Sequence, residues 1–125
     1  MVEDNIESEY IGIINYCVLA ILQLQLPQTT PLELEADQVL GDYDREIETT
    51  RSLMIAKNSD YGEVWRDMRI SSLTDLILMK LLRVKQIEDN QGKTLISEGL
   101  DANYRDMINY AVFALIKIAE AEATS

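Results

Sequence analysis

The stretch KNSDYGEVWRDMR, residues 57–69, holds the densest set of side chains able to do chemistry in this chain. Asp60, Glu63 and Asp67 alternate with Lys57, Arg66 and Arg69 around Tyr61, Gly62 and Trp65. Carboxylate oxygens are the ligands Mg²⁺ prefers, while guanidinium forks and ammonium groups suit phosphate oxygens. Tyr61 or Trp65 offers a flat face on which a base can stack. The stretch therefore suits a nucleoside phosphate with its Mg²⁺, with Asp60 and Glu63 toward the metal and Lys57, Arg66 and Arg69 toward phosphate. The same residues also suit a plain connector between helices, with Trp65 plugged into the core and the charges solvated.

Two further positions carry charge where the pattern calls for apolar side chains. In SSLTDLILMKLLRVKQIE, residues 71–88, Leu73, Leu76, Ile77, Val84 and Ile87 form an apolar arc at helical spacing, with Lys80 in its middle and Arg83 at its edge. A cation there either snorkels to water or meets a carboxylate, because an unpaired buried charge is costly. Asp106 is the candidate partner. With Asn103 and Asn109 it steps by three along a polar ridge, beside an apolar face of Tyr104, Met107, Ile108, Ala111 and Leu115. Such an acid can bind Mg²⁺, orient a water or hold Lys80. Asp106, Lys80 and Asp60 are the candidate catalytic groups, Asp106 joins Asp60 and Glu63 as a candidate metal ligand, and Arg83 joins the phosphate-binding set.

Composition removes most other chemistries. The 125 residues contain no His, which excludes His-based acid–base catalysis, Ser-His and Cys-His nucleophiles and His-ligated zinc. The single Cys17 cannot form an internal disulfide, which fits a reduced, cytoplasmic setting. A net charge of −11 argues against a duplex nucleic acid partner, which needs concentrated Lys and Arg, but not against a small phosphorylated ligand. No apolar run reaches the roughly 20 residues of a membrane span.

The elements that must position these residues are helices. Hydrophobic periodicity predicts one from about Asn5 to Leu26, stopped by Pro27, with QTTP forming a turn. A second starts between Glu35 and Asp42 and carries Val39, Tyr43, Ile47, Thr50 and Met54 on one stripe to about Lys57, where NSDYG reads as a turn. Residues 61–70 read as a loop with one helical turn. Ser71 or Ser72 opens the third helix in a capping-box-like arrangement with Asp75, and DNQG closes it near Asn90. The fourth begins between Ser97 and Asp101 and runs to about Glu120. No stretch alternates with period two, so the expected fold is an all-α bundle of four main helices.

The first helix repeats the last. EYIGIINYCVLAIL, residues 9–22, and NYRDMINYAVFALI, residues 103–116, are identical at six of fourteen positions with an offset of 94. Internal repetition points to a duplicated unit. Residues 1–26 are then the last helix of an incomplete first unit, 27–41 a linker, and 42–125 a complete second unit packed with helix one. Asn15, the counterpart of Asn109, is expected to face other helices and be hydrogen-bonded there.

KNSDYGEVWRDMR, SSLTDLILMKLLR and SEGLDANYRDMINYAVFALI, in this order, resemble the nucleotide modification associated domain family, type one, from about residue 52 to 120. That family is similar, more distantly, to the all-α nucleoside triphosphate pyrophosphohydrolases of the MazG type. The resemblance implies a MazG-like bundle, a nucleotide substrate and Mg²⁺ held by E-x-x-E on one helix and E-x-x-D on a later one. Here Asn103 and Asp106 stand as N-x-x-D and Glu9 and Gly12 as E-x-x-G, so each copy keeps one of the two acids. Two functions follow as expectations. One is a nucleotide-handling domain in which Asp60 or Asp106 positions water and Arg66 or Lys80 meets developing charge. The other is a non-catalytic assembly module, a homodimer through helices one and four that covers apolar surface left by the incomplete unit.

Overall fold

A computed structural model describes residues 5–26, 35–90 and 99–124, the side chains of Asp60 and Tyr61 excepted. Within them lie α1 (Ile6–Gln25), α2 (Ala36–Tyr61), a single 3-10 turn (Val64–Asp67), α3 (Ile70–Asp89) and α4 (Leu100–Ala123), with no strand. The all-α expectation holds, and among the described residues no helix is long and apolar enough to cross a membrane. The turn expected around Pro27 and Pro31, the Gly92 stop and Ser97 lie outside the described residues.

α4 is the central element, packed by α1 on one side and by α3 on the other. Its sequence explains this: Tyr104, Met107, Ile108, Ala111, Phe113 and Ala114 are all buried, which spreads apolar surface around more than one face. α1 contributes Tyr10, Cys17, Val18 and Ile21 to the core, and α3 contributes Leu73, Ile77 and Val84. α1 also reaches the start of α3, where the Tyr10 hydroxyl and Thr74 Oγ1 lie 2.6 Å apart. α2 is the most polar helix and lies outside α1 and α4, with Tyr43, Ile47 and Met54 half-buried along the stripe that its periodicity predicts.

Two local expectations are corrected. α2 does not end at Lys57 but continues through Asn58 and Ser59 to Tyr61, because Gly62 takes φ 76° and ψ −176° and its N–H closes the last turn on Asn58 O at 2.8 Å. Neither Ser71 nor Ser72 caps α3. Arg69 is the N-cap residue, and its carbonyl accepts from Ser72 N at 3.0 Å, while Met68 and Ile70 pack on the core and set the cap two or three residues earlier than expected. Asn15 is hydrogen-bonded to another helix as expected, accepting from the Tyr43 hydroxyl of α2, although it is exposed.

One buried charge holds α2 to α4. Glu46 is 4% exposed and accepts Arg105 Nε at 2.9 Å and Arg105 Nη2 at 2.8 Å, a two-point contact, with Thr50 Oγ1 at 2.7 Å. Burial acts to raise the Glu46 pKa. Hydrogen bonds from Arg105 and Thr50, together with the Arg105 charge, outweigh it and leave the pKa below the ordinary 4.5. A carboxyl depressed on folding stabilises above its unfolded pKa, and that contribution is lost as pH falls through the folded value.

Three stability outcomes are expected. Acid titration of the native fold, followed by circular dichroism, should show a loss of stability starting near pH 4.5 and completing below it. Glu46→Gln should flatten that loss and cost about 3 kcal/mol or more at neutral pH in urea unfolding, because Arg105 is left without its buried carboxylate. Gly62→Ala should cost about 1–3 kcal/mol in the same measurement through backbone strain alone, since an added Cβ meets nothing within 4 Å.

Candidate functional site

Asp106 lies in the second turn of α4, on the side turned to α3. Lys80 lies midway along α3, and Lys57 lies in the last turns of α2, which bring it over the same edge. The two ammonium groups divide one carboxylate between them: Lys80 Nζ lies 3.0 Å from Oδ2 and Lys57 Nζ 3.3 Å from Oδ1. Of the two readings of Lys80, the structure realises the paired one. Its neighbours Leu73, Ile77, Val84 and Ile87 are buried, so the stem covers the core while the charged end reaches the carboxylate.

The three groups are not sealed. Asp106 and Lys80 are about one-quarter exposed and Lys57 is 61% exposed, so the cluster opens to solvent on the α2 side. Two cations facing one anion leave a local positive charge in a chain whose net charge is −11. A pocket of about 100 Å³ adjoins it, lined by Met54, Lys57, Asn58, Asp106, Asn109 and Tyr110, with Phe113 as its far wall. Its volume suits a phosphate-sized group and falls short of the 300 Å³ or more of a typical whole-ligand pocket.

Phe113 links this cluster to the 3-10 turn. Trp65 is 6% exposed and stacks on Phe113 with ring centroids 4.5 Å apart and planes 3° from parallel, while the Arg66 guanidinium lies 4.5 Å from the Trp65 ring centre. Trp65 is thereby engaged inside the protein, and its ring is not presented as a platform for a base. Arg66 is held by Glu63 and by Glu120 at 2.8 Å, and its carbonyl accepts Lys117 Nζ at 2.7 Å. Hydrogen bonds to Glu120 and then Glu63 raise the pKa of Arg66 and keep it charged. The turn is a clamp on α4, and Arg66 and Glu63 satisfy each other there.

The remaining predicted residues are more scattered. Arg83 is half-buried on α3, one turn beyond Lys80, and Arg69 is exposed at the N-cap of the same helix. Asp60 and Tyr61 belong to the last turn of α2, and their side chains lie outside the described residues. Of the candidate Mg²⁺ ligands, Asp106 has both oxygens facing ammonium groups and Glu63 faces Arg66, while the Asp60 side chain lies outside the described residues. Among the described residues no three His, Cys, Asp or Glu side chains converge as metal ligands. Burial pushes the Cys17 thiol up to about 12, which removes it as a nucleophile.

Sequence reasoning missed Glu46. The signal was present, since Glu46 falls on the Tyr43, Ile47, Thr50, Met54 stripe just as Lys80 falls in the apolar arc of α3. Its partner Arg105 lies 20% exposed on α4, next to Asp106 in sequence but on the side turned to α2.

No curated protein and no solved structure matches the chain. A family model described as nucleotide modification associated domain 1 matches residues 1–24 and 57–118. The first block covers nearly all of α1, and the second runs from Lys57 through the 3-10 turn and α3 into α4. Lys57, Lys80 and Asp106 all fall within the matched residues, whereas Glu46 falls between them. With most of its length matched, the chain belongs to the nucleotide modification associated domain 1 family.

Proposed function

We propose that this chain handles a nucleotide by its phosphate at the Lys57–Asp106–Lys80 cluster, in a role linked to modification of a nucleotide or of a base in DNA. The observation that carries the reading is the arrangement of two ammonium groups on one partly exposed carboxylate. An arriving phosphate oxygen competes with Asp106 for donors that are already gathered, so the lysines need little reorganisation to accept it. The small pocket beside them takes the phosphate, and the rest of the nucleotide lies over the outer surface near Asn58. Family membership supports a nucleotide as the ligand, and the local positive charge supports its phosphate as the part recognised.

The reading contains no hydrolytic step. A pyrophosphohydrolase of the MazG type needs four acids on a metal, and Asp106 and Glu63 are committed to cations here. Asp106 acts here as a placeholder that keeps the Lys57 and Lys80 ammonium groups together until an anion arrives.

Isothermal titration with nucleosides and their mono-, di- and triphosphates, with and without Mg²⁺, tests this. Phosphorylated forms should bind and free nucleosides should not, with affinity falling as salt is raised. Lys80→Ala and Lys57→Ala should each weaken binding by about tenfold or more, the worth of one charge-assisted hydrogen bond. Asp106→Asn should strengthen binding, because it removes the competitor. Equal binding by wild type and both lysine variants would sink the assignment.

A further inference from the structure

The pocket beside Lys57 and Asp106 has a third polar wall that the fold leaves unused. Asn109, one turn beyond Asp106 on α4, is 7% exposed, and among the described residues no hydrogen bond reaches its carboxamide. A polar group buried without a partner is costly. Its counterpart in the repeat, Asn15, accepts from Tyr43 of α2, whereas the α2 residues around Asn109 are Met54, Lys57 and Asn58, and none of them bonds it. Among the same described residues Asn103 Oδ1 and Trp65 Nε1 are also unpaired, but both are sealed from solvent. Asn109 instead lines the pocket, so a ligand there can supply what the protein does not.

The shape of the pocket limits what that ligand is. Phe113 forms its far wall and cannot retreat, because Trp65 stacks on it at 4.5 Å and is itself buried. The donors are graded in depth: Lys57, 61% exposed, stands at the mouth, and Asn109 stands further in. A phosphate with one ester link can enter this space of about 100 Å³ with its other three oxygens foremost and the link trailing outward. A phosphodiester must lead two links out through the same mouth, which keeps its oxygens away from Asn109. The carboxamide Nδ2 is also a free donor, whereas the lysines must first leave Asp106.

Resting on the phosphate site assigned above, we propose that the pocket takes a terminal phosphate end-on, and that Asn109 selects it over the phosphodiester of a strand by donating from Nδ2 to a phosphate oxygen. The substrate class is thereby narrowed to a free nucleotide. A base within DNA hangs from a diester backbone, so the pocket meets the nucleotide before it is joined into a strand or after it is released. The other source of a terminal phosphate is the end of a strand, which a chain of net charge −11 repels.

Isothermal titration of the full chain with each common deoxynucleoside 5′-monophosphate, its methyl ester and a 5′-phosphorylated oligonucleotide tests this. The monophosphate should bind about tenfold or more tightly than its ester. That preference should persist near pH 5, where both carry one charge because the second phosphate pKa is about 6. Asn109→Leu, close to Asn in shape, should weaken monophosphate binding and narrow the preference about tenfold, whereas loss of a purely structural amide would weaken both ligands alike. Asn109→Ala carries the comparison if Asn109→Leu loses native helicity. An ester or oligonucleotide that binds as tightly as the monophosphate overturns the inference, as does an unchanged preference in the Asn109 variant. Where Lys80→Ala still weakens binding, such a result leaves the lysine site standing; absence of any phosphate binding by the wild type overturns the site itself.

Discussion

The constraint on which this fold depends is that α4 must be covered on two sides at once. Its apolar residues extend around the helix far enough that a single partner leaves part of them wet, and hydrophobic burial at about 25 cal/mol per Å² makes that costly. α1 covers one side and α3 the other, and the 3-10 turn closes the gap by setting Trp65 against Phe113. α2 adds little to this core. It is held instead by polar contacts, the Glu46–Arg105 pair near its middle and the Lys57–Asp106 pair near its end.

The two charged sites on α4 differ in a way that decides what each can do. Arg105 and Asp106 are adjacent in sequence, so they point to different sides of the helix and meet different partners. Glu46 is buried, its lone pairs are used by Arg105 and Thr50, and the pair has the features of a structural lock. Asp106 keeps access to solvent and gathers two cations, leaving an excess of positive charge at an open edge. Screening makes this second site weak as a source of stability. It suits exchange of one anion for another.

The repeat shows how one helical sequence serves two environments. Asn109 is 7% exposed while its counterpart Asn15 is exposed and takes a hydrogen bond from Tyr43. Gly12 in place of Asp106 removes the one acid that would need a cation from α3. The side shared by α1 and α4 stays apolar and buried in both, and the opposite side diverges in burial more than in residue type. The difference lies in what packs on each helix.

Helix number, approximate bounds and the buried faces of α1, α3 and α4 were legible in the sequence, because apolar side chains at 3.6-residue spacing have few other ways to be buried. The pairing of Lys80 with Asp106 was legible for a related reason: a cation inside an apolar arc needs a carboxylate, and few were within reach. Other features required tertiary structure. The end of α2 moved four residues because Asn58 to Tyr61 tolerate either a turn or a helix, and only the positive φ of Gly62 stops them. Trp65 suited a base or a core equally well by type, and the ring face that Phe113 offers on α4 decided the matter. Lys57 joins Asp106, and Arg66 does not, because long flexible charged side chains take the nearest opposite charge that the packed helices supply, and local sequence carries no record of which one that is.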